Sequence, residues 1–155
     1  MNNSFNTYAH YHQNPINKLI HAICIPFIVL TITNFIDEIK ITDTCGGKKD
    51  RVMFSLKHIF IVCWLINYGV MSFQVMLGMA FYLMALSYIS ALWKTMDKHW
   101  MSHSVYIHII AWLLQFVGHY IEGRKPALID SVSTTLFEAP MFSFGYITEF
   151  FIKMK

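Results

Sequence analysis

The sequence predicts an all-α, polytopic membrane helix bundle with four to five spans, the last segment either crossing the bilayer or lying in its interface. Three observations carry that expectation. Only 14% of the 155 residues are charged while 55% are hydrophobic, against roughly 25% charged in a typical globular domain. His58 to Trp93 runs 36 residues without one Asp, Glu, Lys or Arg. As a single helix that run would extend about 54 Å against a hydrocarbon core of about 30 Å, so it must fold back on itself. The remaining apolar stretches have span length and alternate with polar segments. This composition excludes an ordinary soluble enzyme, a disordered tail and a disulfide scaffold. The net charge of +3 is spread along the chain, whereas a nucleic-acid binder gathers its basic residues on one face.

One membrane domain over residues 1–155 is the expectation. Its first span, near 18–36, has a defined start: Asn14 suits an N-cap and Pro15 the first helical position. No basic n-region precedes Lys18 and no small-residue cleavage site follows, so this run reads as a retained span rather than a signal peptide. Pro26 is tolerable inside a membrane helix. A polar loop over 37–52 follows, in a stretch from Asp37 to Lys57 that holds nine of the 21 charged residues. The long uncharged run divides into spans near 53–71 and 74–93, with Gly69, Ser72 and Gln74 at the turn and Lys57 snorkelling at an end. A fourth span lies near 104–121. The fifth segment, near 135–152, is interrupted by Glu138, Pro140 and Glu149. Trp and Tyr fall mostly near span ends, where amphipathic rings favour the headgroup layer. Cys24, Cys45 and Cys63 form no CxxC pair and read as small hydrophobes.

Polar groups at membrane depth are costly and are functional candidates by default. Two dense polar motifs stand out. In YHQNPINKLIH, residues 11–21, Asn14, Asn17 and His21 follow helical 3–4 spacing and share a face, with His12 just before the cap. In QFVGHYIEGRKPALID, residues 115–130, Gln115, His119 and Glu122 form a stripe at i, i+4 and i+7, and Gly118 permits close helix contact beside it. Span 1 starts at the first motif and span 4 ends at the second. After four crossings the chain is back on its starting side, so His12, His21 and His119 meet at one membrane face. His58, His99 and His103 belong to the opposite face. His108 shares the stripe but lies about 16 Å deeper along the helix.

Neutral imidazole is a common metal ligand. Histidines with oxygen ligands and open positions suit non-haem iron, copper or zinc, and spacing does not choose among them. Asn17, Glu122 and Asp130 are further ligand or orienting candidates. There is no HExxH, GxSxG or phosphate-cradling loop.

The two motifs, with Pro26 and then Ala139-Pro140, resemble the fungal and bacterial family of 2-hydroxy fatty acid dioxygenases over most of the chain. The resemblance implies an integral endoplasmic-reticulum membrane enzyme that depends on ferrous iron. It would use O2 to shorten a long-chain 2-hydroxy fatty acid by one carbon and release CO2, without haem or 2-oxoglutarate. It also implies His12, His21 and His119 as Fe(II) ligands. Asn17, Gln115 and Glu122 are then candidates to assist catalysis, and Arg124 and Lys125 to pair with the substrate carboxylate, unless that pair is simply the positive flank of a span. This chain has Gln13 where fungal members often carry a second histidine. The stretch from His119 to Pro126 is one residue short of the family spacing, which turns Glu122 by about 100°. The competing class is a non-catalytic multi-span scaffold or small transporter, which would purify without stoichiometric metal. A lipid hydroxylase or desaturase would show HxxHH-type boxes, which are missing here.

Overall fold

The computed structural model describes residues 12–41, 54–126 and 132–153, and these form five helices. They are α1 (Pro15–Asp37), α2 (Leu56–Met71), α3 (Phe73–Met96), α4 (Trp100–Glu122) and α5 (Val132–Lys153). Tyr11, Cys45 and Asp130, and most of the expected 37–52 loop, lie outside the described residues. Among the described residues the one element besides helix is a bridge between Lys40 and Ser55. It draws α1 and α2 together through Ile41 N–H to the Phe54 carbonyl and Leu56 N–H to the Ile39 carbonyl, both at 2.9 Å.

α1, α3 and α4 are 23, 24 and 23 residues long and apolar enough to cross a membrane. α2 has only 16 residues, about 24 Å of helix. It starts later than the expected span because Ser55 precedes it in extended conformation, with its backbone N–H on His58 Nδ1 at 3.1 Å. The turn into α3 is the single residue Ser72, whose hydroxyl accepts from Val75 N–H. α4 ends at Gly123 with φ of 71°, the left-handed conformation that glycine adopts without a Cβ penalty.

α1 is the central helix. It packs most closely against α4 and also meets α2, α3 and α5. The core joins Ile25 and Val29 of α1 to Trp64 and Tyr68 of α2 and to Met79 and Leu83 of α3. The outward faces carry Leu77, Phe81, Met84, Ile109 and Leu113, each more than half exposed. An apolar outer surface on charge-poor helices of this length suits lipid rather than water. Cys63, expected to be buried, lies on that outer surface, while Cys24 is buried.

Each proline inside a helix removes one N–H and strands the carbonyl four residues before it. Both stranded carbonyls are taken up by other helices. Opposite Pro26, the Ala22 carbonyl accepts from Ser143 Oγ of α5 at 3.0 Å. Opposite Pro140, the Leu136 carbonyl accepts from Trp64 Nε1 of α2 at 3.2 Å, and Tyr68 Oη donates to the Phe137 carbonyl at 2.8 Å. α5 therefore continues through Pro140, and α1 through Pro26, at no cost in buried unpaired carbonyls.

The end of the bundle that holds Asp37 is closed by charge. Asp37 pairs with Lys57 at 3.0 Å and with Lys94 at 3.1 Å, and Lys94 also reaches Glu38 at 2.8 Å. Just inside, buried Asn34 accepts from Ser90 and donates to Ser104 at 3.1 Å. His58 and His103 lie at this end, His58 against Ser55 and His103 on Asp97 at 2.5 Å. The His103 imidazole beside Asp97 holds that carboxyl below its usual range.

Candidate metal centre

The opposite end is built from the start of α1 and the finish of α4. Asn14 caps α1 by accepting from Ile16 N–H at 2.8 Å, with Pro15 at the first helical position. Asn17 and His21 follow at one-turn intervals on the buried face, and neither is more than 1% exposed. From α4, His119 comes in the last turn, its carbonyl accepting from Arg124 N–H at 3.2 Å behind Gly123. Gly118 lets the two helices touch: a Cβ there would stand 2.3 Å from Asn17 Oδ1.

This close crossing brings three imidazoles together. The ring centroids lie 4.3 Å apart for His12 and His21, 5.0 Å for His12 and His119, and 4.8 Å for His21 and His119. One nitrogen from each falls within 4.8 Å of the others, and all three side chains are buried. His21 Nδ1 donates to the Asn17 carbonyl at 3.0 Å, which leaves the Nε2 lone pair free to face a metal. His119 Nδ1 is buried with no hydrogen-bond partner. An unpaired polar nitrogen in an apolar interior is costly, and a metal ion would satisfy it. The donor set fits a divalent transition metal: three borderline nitrogen ligands and no carboxylate among them.

Glu122, the nearest acid in the sequence motif, is committed elsewhere. Its Oε1 accepts from Gln13 N–H at 2.5 Å and from Asn14 N–H at 3.3 Å, and its Oε2 accepts from Asn17 Nδ2 at 2.5 Å. It thus supplies a negative charge at the start of α1, where the helix has no acid of its own in its first turn and its dipole favours one. Glu122 also clamps the segment that carries His12 to the end of α4.

The other expected residues lie around this group. Gln115 is buried one turn below His119 and lines a cavity rather than joining the three histidines. Arg124 and Lys125 are exposed just beyond Gly123. His108 sits deeper and bonds Thr31 Oγ1 at 2.8 Å, and its Nε2 accepts from Trp112 Nε1 at 3.1 Å. Sequence reasoning missed Phe142, whose ring centroid lies 5.1 Å from that of His12. It also read Glu138 only as an interruption, whereas Glu138 is buried within α5. A charged residue inside an apolar segment was the available signal for it.

A family model described as 2-hydroxy-palmitic acid dioxygenase Mpo1-like matches residues 1–151. The 2-hydroxy-palmitic acid dioxygenase MPO1 of Saccharomyces cerevisiae is 30% identical over 152 residues, covering 96% of this chain and 81% of that protein. No solved structure matches the chain.

Proposed function

The chain belongs to the Mpo1-like family of 2-hydroxy-palmitic acid dioxygenases, and from that premise we propose that it is a non-haem Fe(II) dioxygenase of the endoplasmic-reticulum membrane. It cuts the C1–C2 bond of a long-chain 2-hydroxy fatty acid. The reaction balances without an added reductant: R–CH(OH)–COOH and O2 give R–COOH, CO2 and H2O. C2 passes from the alcohol to the acid level, C1 leaves as CO2, and O2 takes the four electrons.

The observation that supports this reading best is the cluster of His12, His21 and His119, buried with one nitrogen of each within 4.8 Å of the others. These three residues would hold the metal. Ferrous iron there would supply Lewis acidity and the capacity to activate O2. The chain's own residues do the positioning. The Asn17 carbonyl fixes the tautomer and rotation of His21. Asn17 Nδ2 and the backbone N–H groups of Gln13 and Asn14 hold Glu122, which keeps the His12 segment in place. Asn17 and Glu122 are therefore positioning residues rather than catalytic ones. Gln115, which lines the cavity one turn below His119, would turn its amide to the 2-hydroxy carboxylate head. Arg124 and Lys125, exposed at the rim, attract that carboxylate on entry. The burial of all three histidines keeps water from the site, which strengthens each of these polar contacts.

The test is His119→Ala, followed in purified protein by iron content, O2 uptake and release of CO2 from 2-hydroxypalmitate. The expected result is loss of stoichiometric iron and of O2 uptake in a variant that still inserts in membranes. Turnover at the wild-type rate by the variant would overturn the assignment.

A further inference from the structure

Below the three histidines a half-open cavity of about 180 Å³ lies between α1, α2, α4 and α5. Its position is tied to the histidine cluster on three helices at once. Ile25 lines it one turn from His21 on α1, and Gln115 lines it one turn from His119 on α4. Ala139 lines it one turn from Phe142, the α5 ring that touches His12. The lining then continues along α1 to Ile32, which lies about 16 Å from His21 by the helical rise.

The walls are almost wholly apolar, for identifiable reasons. Trp64 and Trp112 both line the cavity. Their N–H groups are turned to other partners, Trp64 Nε1 to the Leu136 carbonyl and Trp112 Nε1 to His108 Nε2. Each indole therefore presents carbon to the space. Pro140 lines it as well and adds no donor. Gln115 and Thr135 are the two polar lining residues besides the indoles, and Gln115 is the one beside the histidines. An apolar cavity that begins one turn beyond a cluster of three histidines matches an amphipathic molecule with its head at the metal and its chain in the cavity.

We infer that this cavity holds the proximal acyl chain of the substrate, with the Gln115 amide at its mouth holding the 2-hydroxy carboxylate and Ala139 setting its width. The inference rests on the proposed dioxygenase reading for the identity of the head group. It adds that the enzyme selects chain length by apolar contact inside the bundle, not at the lipid-facing surface. Ala139 is the lining residue where added volume enters the space most directly, because its methyl group is the smallest side chain there.

The experiment uses the full chain in nanodiscs with two readouts. In the first, 2-hydroxypalmitate carrying a diazirine on its proximal chain is photolysed on the protein and the adducts are mapped by peptide mass spectrometry. Adducts on Ile28, Trp112 or Leu136 are expected. In the second, Ala139→Leu is compared with wild type on long and short 2-hydroxy acids, with iron content measured alongside. The ratio of kcat/KM for the long acid over the short one should fall about tenfold, the low end of what one methylene contributes in an apolar pocket. Where Ala139→Leu binds less iron than wild type, Ile28→Ala replaces it, and the same ratio should fall because apolar contact is lost. Adducts confined to lipid-facing residues such as Leu113 or Phe81, with the ratio unaltered, would overturn the pocket. Adducts inside the cavity without turnover of any 2-hydroxy acid would leave the pocket standing and overturn the dioxygenase reading instead.

Discussion

Asn17 binds Glu122 and His21 at the same time: its side-chain amide donates to Glu122 Oε2 at 2.5 Å, and its carbonyl accepts from His21 Nδ1 at 3.0 Å. One residue therefore couples the clamp on the His12 segment to the orientation of a proposed ligand. Groups behind metal-binding histidines typically change metal affinity about 10- to 100-fold when removed. Glu122→Ala is expected to weaken iron binding by about that factor, because Gln13 N–H, Asn14 N–H and Asn17 Nδ2 all lose their acceptor. Glu122→Gln keeps one acceptor oxygen and should weaken binding less. Iron titration of the three proteins checks this, and equal affinity across them would remove Glu122 from the site.

Gly118 tests the helix crossing that assembles the histidines. A Cβ at this position would collide with Asn17 Oδ1 and meet the Asn17 Cγ at 3.3 Å. Gly118→Ala must displace the Asn17 amide from Glu122 or push α1 and α4 apart, at a cost of about 1–3 kcal/mol for overpacking. Stability and iron content should both fall. Adding Asn17→Ala relieves the clash but also removes the tie to Glu122. The double variant should therefore recover stability more fully than iron binding, which thermal unfolding and metal analysis would separate.

The histidine cluster was legible in the sequence because it depends on quantities that sequence carries. Span parity returns α4 to the side where α1 begins, and helical spacing puts His21 and His119 on buried faces. The Asn14-Pro15 start and the Ser72 turn are local signals and also stand where expected. What sequence could not supply were partners far along the chain. Nothing near Pro140 says that α5 continues through it, because the stranded Leu136 carbonyl is met by Trp64 on another helix. Glu122 likewise could not be placed from its own helix, since its partners belong to the segment before α1. Gln115 shares a stripe with His119, yet one turn of depth moves it from the histidines to the cavity wall.

Metal identity has a direct test. Three imidazoles without a carboxylate will hold zinc as well as iron. Stripping the protein with a chelator should abolish O2 uptake, and ferrous iron should restore it. Zinc should occupy the same nitrogens and restore nothing, because it has no redox chemistry. Stoichiometric zinc binding combined with O2 uptake would exclude iron-dependent oxidation as the activity.

The pairing of Ser143 with Ala22 predicts a thermodynamic coupling between two residues remote in sequence. Pro26 has no N–H to offer the Ala22 carbonyl, and Ser143 Oγ supplies the missing donor at 3.0 Å. Interhelical side-chain bonds in membrane proteins contribute about 0.6 kcal/mol on average and reach about 1.7 kcal/mol. Ser143→Ala should cost an amount in that range, since the buried carbonyl then loses its partner. In a Pro26→Ala background the helix regains its own N–H at position 26, and the carbonyl no longer depends on Ser143. There Ser143→Ala should cost close to nothing, so the cycle should show a coupling about as large as the single-variant loss. Denaturant unfolding in mixed micelles measures all four corners. Additive effects would mean that Ser143 packs against α1 without satisfying the carbonyl that Pro26 leaves open.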